Sequence, residues 1–335
     1  MSHNISVLIV GCGSIGERHA RNLSRLGIEF ELYDSDPKRM GEVSSEYDVP
    51  QYEQLSDALT GDTNLAFVCT PHDTHIPIAQ EALNQNYDLF VEKPLSNTQD
   101  DAFELISRVR DSDVVHMIGC NYRFHPAIAT VKSQLDDGNI GQIYSANISL
   151  GSYLPDWHPW EDHRQMYSAK PGVGGVLLDN IHAINFANWF FDGARSTMAY
   201  IGYDSNLEIP TADRANLIIE YNDGILCSIT VDYLNRQPLF SGHITGELGT
   251  IRWGPSHKSV QVFDPVTQSW NDLVSYADWE TNDMYMAMTN HLLTCVRDGI
   301  QTSCTLEDGF RDLQMALAAR ESHLKGERVY LDDRS

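Results

Sequence analysis

The pattern of apolar and polar positions changes once along the chain. Over roughly the first 120 residues, apolar runs at Ser6–Val10, Glu29–Tyr33, Leu65–Cys69, Leu89–Val91 and Val114–Ile118 alternate with stretches of helical spacing. Examples of the latter are Ile15, Ala20, Leu23, Leu26 and Ile78, Ala79, Ala82, Leu83. Continuous apolar runs suit strands buried on both faces, and their alternation with helices predicts a doubly wound parallel sheet. Beyond about residue 121 the texture differs. The spacing predicts a helix over Pro126–Leu135, a strand over Gln142–Leu150, a long aromatic loop from Tyr153 to Tyr167 and a helix from Gly175 to Phe191. From Ser196 to Phe263 the chain reads as alternating strands, with hairpin signals at Asn222-Asp223-Gly224 and Glu247-Leu248-Gly249. Helices at Met284–Arg297 and Leu306–Leu324 and a short strand at Arg328–Leu331 close it. The expected class is therefore α/β in the N-terminal part (residues 1–121), followed by an α+β domain (residues 122–335) on an open, largely antiparallel sheet. The last helices are free to pack back on the first domain.

Composition narrows the partners. Acids outnumber bases 47 to 23, a net charge of -24, which repels phosphate backbones and anionic lipid. Nucleic acid and membrane surfaces are therefore poor candidates, and an anionic substrate would need a local basic pocket. No apolar run reaches the roughly 18–20 residues of a membrane span, and the start does not read as a signal peptide. The six cysteines are scattered without a C-x-x-C pair, so buried reduced thiols in a cytoplasmic protein are expected, with no metal site.

The strongest local signal is Gly11-Cys12-Gly13-Ser14-Ile15-Gly16, which follows the strand-like Val7–Val10 and opens the next helix. In a dinucleotide-binding turn the first glycine makes the tight turn, the second lets backbone approach a pyrophosphate, and the third lets helix pack on strand. The helix start at Ser14 and Ile15 offers amide donors to phosphate. Asp34 ends the second strand, where a carboxylate accepts from ribose hydroxyls and repels a 2′-phosphate. NAD is thereby favoured over NADP, although Arg39, with Lys38, is close enough to receive part of such a phosphate. Thr70-Pro71 ends another strand on the crevice edge and is placed beside the nicotinamide. The nearby His75 is counted with the cofactor residues, and His72 and His75 read as packing or capping groups rather than metal ligands. Glu92-Lys93-Pro94 ends the next strand. A lysine at the mouth of a parallel sheet needs a reason, yet a surface lysine is the plainer reading of Lys93 alone. The following proline restricts its backbone.

Taken together, Gly11–Gly16, Asp34, Thr70-Pro71, Glu92-Lys93-Pro94 and Asn121-Tyr122-Arg123-Phe124 resemble the glucose–fructose oxidoreductase/inositol dehydrogenase (Gfo/Idh/MocA) family. The resemblance runs on through Gly174-Gly175-Val176-Leu177-Leu178-Asp179 to His182, and through Gly246-Glu247-Leu248-Gly249-Thr250. It implies a Rossmann domain, bound NAD and hydride transfer at a hydroxyl or keto carbon. It also implies that Lys93 touches the reacting hydroxyl and that His182 is the acid/base. Two departures stand out. The family's acid lies four residues before the histidine, whereas Asp179 lies three before His182, still on one face of a continuous helix. An acid commonly lies three residues after the histidine, and here that position is Asn185.

Lys93 and His182 are thus expected to converge from separate domains, with Asp179 orienting the imidazole. The aromatic loop, with Tyr153 and Trp157, suits the flat faces and hydroxyl rims of sugars, and equally suits domain docking. Its Tyr-Leu-Pro-Asp-Trp segment resembles family members linked to bacterial surface sugars, which implies a sugar, amino sugar or nucleotide-activated sugar. Tyr122 joins the substrate residues, and Arg123 and Arg164 are the bases nominated to meet a carboxylate or phosphate. Apolar alternation at Ala215–Tyr221 and Leu226–Val231, with the family's habit of pairing this sheet, implies a homodimer or homotetramer. Two alternatives stay open. One is a non-catalytic dinucleotide sensor on the same scaffold, and the other an NADP-dependent dihydrodiol or aldose reductase.

Overall fold

The computed structural model describes residues 5–331. The chain divides into two compact units. One holds the chain up to Asn121 together with Thr281–Phe310; the other holds Tyr122–Glu280 and the chain from Arg311 onward.

In the first unit, five strands form a parallel sheet: β1 (Ser6–Val10), β2 (Glu29–Tyr33), β3 (Leu65–Val68), β4 (Asp88–Val91) and β5 (His116–Ile118), in the order β2-β1-β3-β4-β5. Every residue of β3 is buried, as is β1 from Val7 onward, which accounts for the unbroken apolar runs. The crossovers carry α1 (Ser14–Leu26), α2 (Pro37–Tyr47), α3 (Leu55–Ala58), α4 (His75–Asn84) and α5 (Asp100–Arg110). Helix α2 begins at Asp36, whose carboxylate caps the amides of Lys38 and Arg39, followed by Pro37 at its first position. The strand order reverses direction between β1 and β3, so the crevice of this sheet opens where Gly11 and Thr70 leave their strands.

The second unit is built on nine strands. They are β6 (Ile143–Gly151), β7 (Ala194–Gly202), β8 (Arg214–Tyr221), β9 (Leu226–Asp232), β10 (Leu239–Gly246), β11 (Thr250–Trp253), β12 (Ser259–Asp264), β13 (Ser269–Ser275) and β14 (Val329–Tyr330). Their order is β13-β12-β11-β10-β6-β9-β8-β7-β14, and all neighbours are antiparallel except β6 and β9. Both predicted hairpins form: residues 222–224 join β8 to β9, and residues 247–249 join β10 to β11. One face of the sheet packs under α6 (Pro126–Asp136), α7 (Val176–Asp179) and α8 (His182–Phe190). On β8 the inward Ala215, Leu217, Ile219 and Tyr221 are buried, while Ile218 faces outward and is 53% exposed. The chain also carries α9 (Thr281–Asp298) and α10 (Leu306–Lys325). No described helix is long and apolar enough to cross a membrane, and all six cysteines are buried free thiols.

The expected continuous helix from Gly175 to Phe191 is two helices. Asn180 (φ −95°, ψ 29°) leaves the helical region, so α7 stops at Asp179 and α8 starts at His182. Periodicity cannot reveal this break because Val176 to Ala187 is buried on every side.

Candidate active site

In the first unit the glycine turn is set by close approach. A Cβ on Gly11 (φ +101°) would lie 2.8 Å from the backbone of Cys69 and Thr70, and one on Gly16 would lie 1.8 Å from the Gly11 carbonyl oxygen. Both positions therefore admit only glycine if α1 is to pack on β1 and β3. Gly13 is different, since a Cβ there would meet nothing within 4 Å. The space over Gly13, at the start of α1, is left open, with Ser14 exposed and Ile15 half-buried beside it. Open room at a helix start of 13 residues suits a pyrophosphate, so these residues fit a dinucleotide.

Asp34, 8% exposed, accepts from the Cys12 amide at 2.6 Å and from the Asp36 amide at 2.7 Å. Its carboxylate is thus tied to the middle of the glycine turn. Arg39 lies 3.6 Å from Asp34 and 3.6 Å from Asp36, with its side chain half exposed. The Cys12 thiol is pushed up to about 12 by burial and, next, by the Asp34 carboxylate, which leaves it protonated and unreactive.

The ends of β3 and β4 are joined by one side chain. His75 is buried, with Nε2 2.8 Å from the Thr70 carbonyl oxygen and Nδ1 3.0 Å from that of Pro94. Burial, the largest cause, lowers its pKa to about 4, against a smaller upward pull from the Thr70 carbonyl. A neutral ring donates to one carbonyl at a time, and His75 so bridges the Thr70-Pro71 and Lys93-Pro94 turns. The Thr74 hydroxyl lies 2.8 Å from Thr70 Oγ1 and 2.7 Å from the Pro71 oxygen, bracing the same turn.

Lys93 is half-buried and joined to Pro94 by a cis peptide bond. Glu92 is 5% exposed; its Oε2 accepts from the Lys93 amide at 3.2 Å, and Oε1 lies 2.8 Å from His19 Nε2. Gly119 leaves the room for this carboxylate, because a Cβ there would come within 2.9 Å of Oε2. His19 is a site residue that the sequence reading missed. It is fully buried on α1 and meets the rings of Phe67 and Phe90 edge-on. A usable signal existed, since a histidine occupies the inward stripe of α1 beside Ala20 and Leu23.

In the second unit, Tyr122 and His182 are ring neighbours, with centroids 4.8 Å apart and Phe186 and Phe240 completing the cluster. His182 is 6% exposed and Asp179 is 3% exposed. Asp179 does not share a continuous helix with His182. Its carboxylate instead accepts from the buried hydroxyl of Tyr233, just past β9. Burial is the first cause that pushes the Tyr233 phenol well above its ordinary range, with Asp179 the next, so it stays a donor. Trp157 packs edge-on against Tyr233 at 5.4 Å and donates from Nε1 to Ser152 Oγ at 2.7 Å. The aromatic loop therefore reaches Asp179 through Tyr233. Tyr153 is stacked under the Arg236 guanidinium at 3.5 Å.

The two nominated arginines are engaged elsewhere. Arg123 is 4% exposed; its Nε donates to Asn185 Oδ1 at 3.0 Å, and it lies over the Trp189 ring. Asn185 passes the bond on, donating to Asp312 Oδ2 at 2.6 Å, while Asn188 donates to Asp312 Oδ1 at 2.8 Å. The carboxylate that the histidine helix lacks at Asn185 is thus supplied by α10. Arg164, on the exposed loop, forks onto Asp162 and reaches Glu208 at 3.3 Å. That pairing lowers the Asp162 pKa to about 2, chiefly through its side-chain hydrogen bonds to Arg164.

A parallel sheet with a glycine turn and an acidic strand end at its switch point defines a dinucleotide-binding scaffold. The family model for the oxidoreductase NAD-binding Rossmann fold matches residues 5–120, and that for the C-terminal alpha/beta domain matches residues 132–331. The chain belongs to the Gfo/Idh/MocA oxidoreductase family. It is 25% identical to a scyllo-inositol 2-dehydrogenase (NAD(+)) of Bacillus subtilis, over 99% of this chain and 98% of that one. It is 24% identical to a D-apiose dehydrogenase of Rhizobium rhizogenes, over 96% of each. Among solved structures, a levoglucosan dehydrogenase in complex with NADH and levoglucosan has a TM-score of 0.88 at 17% identity, covering 98% of this chain and all of that one.

Proposed function

We propose that the protein is an NAD-dependent dehydrogenase that transfers a hydride between nicotinamide and a hydroxyl or keto carbon of a sugar, sugar derivative or polyol. The observation that carries the reading is the bracing of Lys93. A half-buried lysine at a strand end has its backbone amide held by Glu92, itself held by a fully buried histidine. A dinucleotide sensor has no use for such a lysine, nor for the buried Asp179–Tyr233 pair beside the His182 cluster. Relatives named for inositol, apiose and levoglucosan support a sugar-type substrate.

Gly11, Gly13, Ser14, Ile15 and Gly16 would hold the pyrophosphate, Asp34 the ribose, and Thr70, Pro71 and the His75 clamp the nicotinamide side. When bound, the cofactor accepts or returns the hydride. Loss of hydride from a carbinol is relieved only as its hydroxyl proton leaves. The His182 imidazole takes that proton, a side chain whose ordinary titration lies near neutral pH. Lys93 donates a hydrogen bond to the same oxygen as negative charge grows on it, and Glu92 fixes where that ammonium starts. Asp179, held by Tyr233, and Tyr122 orient the imidazole and the sugar. In the reverse direction Lys93 polarises the carbonyl and His182 returns the proton.

The reading extends to a cytoplasmic homo-oligomer. Outward Met198 and Ile218 are cross-strand partners, each about half exposed, and Tyr200 lies beside them at 65%. A sheet face of this kind suits burial against a second copy. The test of function is NADH absorbance across a panel of inositols, pentoses, anhydrosugars and sugar nucleotides. Turnover with one class supports the dehydrogenase. Unchanged absorbance with all of them, alongside tight NADH binding, transfers the case to the sensor.

A further inference from the structure

We propose that the second unit carries a binding site for a small carboxylate or phosphate, held by Arg320. A cleft of about 120 Å³ opens there, walled by the segment from Pro171 to Gly175, by Leu177 and Leu178, by the strand end at Ile201 and Tyr203, by Pro210 to Ala212, and by Arg320 of α10. A single water needs roughly 10–15 Å³, so the cleft has room for several waters or one small polyatomic ion. None of its lining residues is an Asp or Glu, in a sequence that contains 47 of them.

Arg320 is partly buried and, among the described residues, makes no hydrogen bond or ion pair. The other partly or fully buried arginines are partnered: Arg18 by Asn282 and Tyr285, Arg108 by Asn84, Arg123 by Asn185, Arg214 by Asp204 and Asp213, and Arg252 by Gln261 and Trp270. Acids that lie near Arg320 or the cleft walls in sequence are committed elsewhere. Glu321 pairs with Lys325 at 2.6 Å, Asp213 with Arg214 at 3.0 Å and Glu208 with Arg164 at 3.3 Å. A partly desolvated guanidinium without a counter-charge is unfavourable, and its planar donor fork matches a carboxylate or phosphate. The Tyr203 phenol, 48% exposed, stands at the same cleft as a further donor. The wall from Pro171 to Leu178 runs directly into Asp179, so a bound anion restrains the segment that delivers that carboxylate.

The site is tested on the whole chain without dinucleotide or sugar, so the result is independent of the dehydrogenase reading. Thermal unfolding and calorimetric titration are run with inorganic phosphate, malonate and acetate against chloride at matched ionic strength. The wild type should show a saturable rise in unfolding temperature with phosphate or malonate beyond that with chloride. Arg320→Met should weaken the affinity by roughly tenfold or more. Arg297→Met, at an exposed position, should leave it unchanged. Ala212→Leu, which fills the cleft without touching the charge, should weaken binding as well and guards against a misfolded Arg320 variant. Equal responses of wild type and both cleft variants, or a wild-type response no larger than with chloride, overturn the proposal. Once a turnover assay exists, phosphate competing with the sugar assigns the site to an anionic group of the substrate. Phosphate acting without competition assigns it to a free effector.

Discussion

The hydroxyl of Tyr233 donates to the carboxylate of Asp179 across 54 residues of sequence, with both groups buried. The shared helix face from which Asp179 was expected to orient His182 is broken at Asn180, and the bond to Tyr233 holds one oxygen of the carboxylate. Tyr233→Phe removes the donor and leaves the shape. Taking one partner from a buried hydrogen bond to a charged group costs about 1.5–3 kcal/mol. We expect a fall of that size in denaturant stability and a drop in kcat larger than any change in KM. A Phe variant with wild-type kcat would remove Tyr233 from the positioning of Asp179.

Lys93→Ala and His182→Ala are expected to lower turnover by roughly 100- to 10,000-fold each while NADH affinity stays near wild type. If the two side chains act on one transition state, the double variant should be far less impaired than the product of the single effects. Pre-steady-state hydride transfer checks both points. A loss below about threefold for either residue removes it from the mechanism.

Asp34→Ala should weaken NAD and narrow its advantage over NADP, because the carboxylate no longer repels a 2′-phosphate and Arg39, 3.6 Å away, is released from it. The same change takes the acceptor from the Cys12 and Asp36 amides, so stability should fall too. Fluorescence titration of both dinucleotides decides it. An unchanged preference would refute the role given to Asp34.

The charge beside the histidine helix is open to a swap. Asp312→Asn removes the charge to which Asn185 and Asn188 both donate. Weakening buried hydrogen bonds to a carboxylate costs on the order of 1.5–3 kcal/mol. Adding Asn185→Asp to Asp312→Asn returns a carboxylate directly to the Arg123 guanidinium. Chemical denaturation should show most of the loss recovered in the double variant, and kcat should recover with it.

Acid should weaken the fold through two buried histidines. His75 and His125 both have their pKa lowered to about 4 by burial, the largest cause for each. In the unfolded chain they bind protons near pH 6.5, so between pH 6.5 and 4 the unfolded state holds more protons than the folded one. Stability therefore falls as pH drops through that window, by up to about 1.4 kcal/mol per pH unit for each histidine. His125 also loses its cap, since Nδ1 accepts from the Ala127 amide at 3.1 Å only while unprotonated. His125→Asn, which keeps a capping acceptor, should flatten the slope by about one proton. Urea titrations across the window measure it.

The chain's own order of residues determined whatever depends on neighbours a few positions apart. Buried runs became β1, β3 and β4 because strands inside the sheet are covered on both faces, while edge strand β2 keeps Glu29 and Glu31 alternating with its inward Phe30 and Leu32, and Gly11 and Gly16 announced a turn too tight for a Cβ. Hairpins at Asp223 and Gly249 were legible for the same local reason. The interruption at Asn180 was not, because a segment buried all round has no polar face to mark where a helix stops. Tertiary structure alone decided which distant polar groups meet: His19 with Glu92 across 73 residues, Asn185 with Asp312 across 127. Periodicity says that a side chain points inward. Only strand register and helix packing say what waits there, and a buried polar group takes whichever partner that packing delivers.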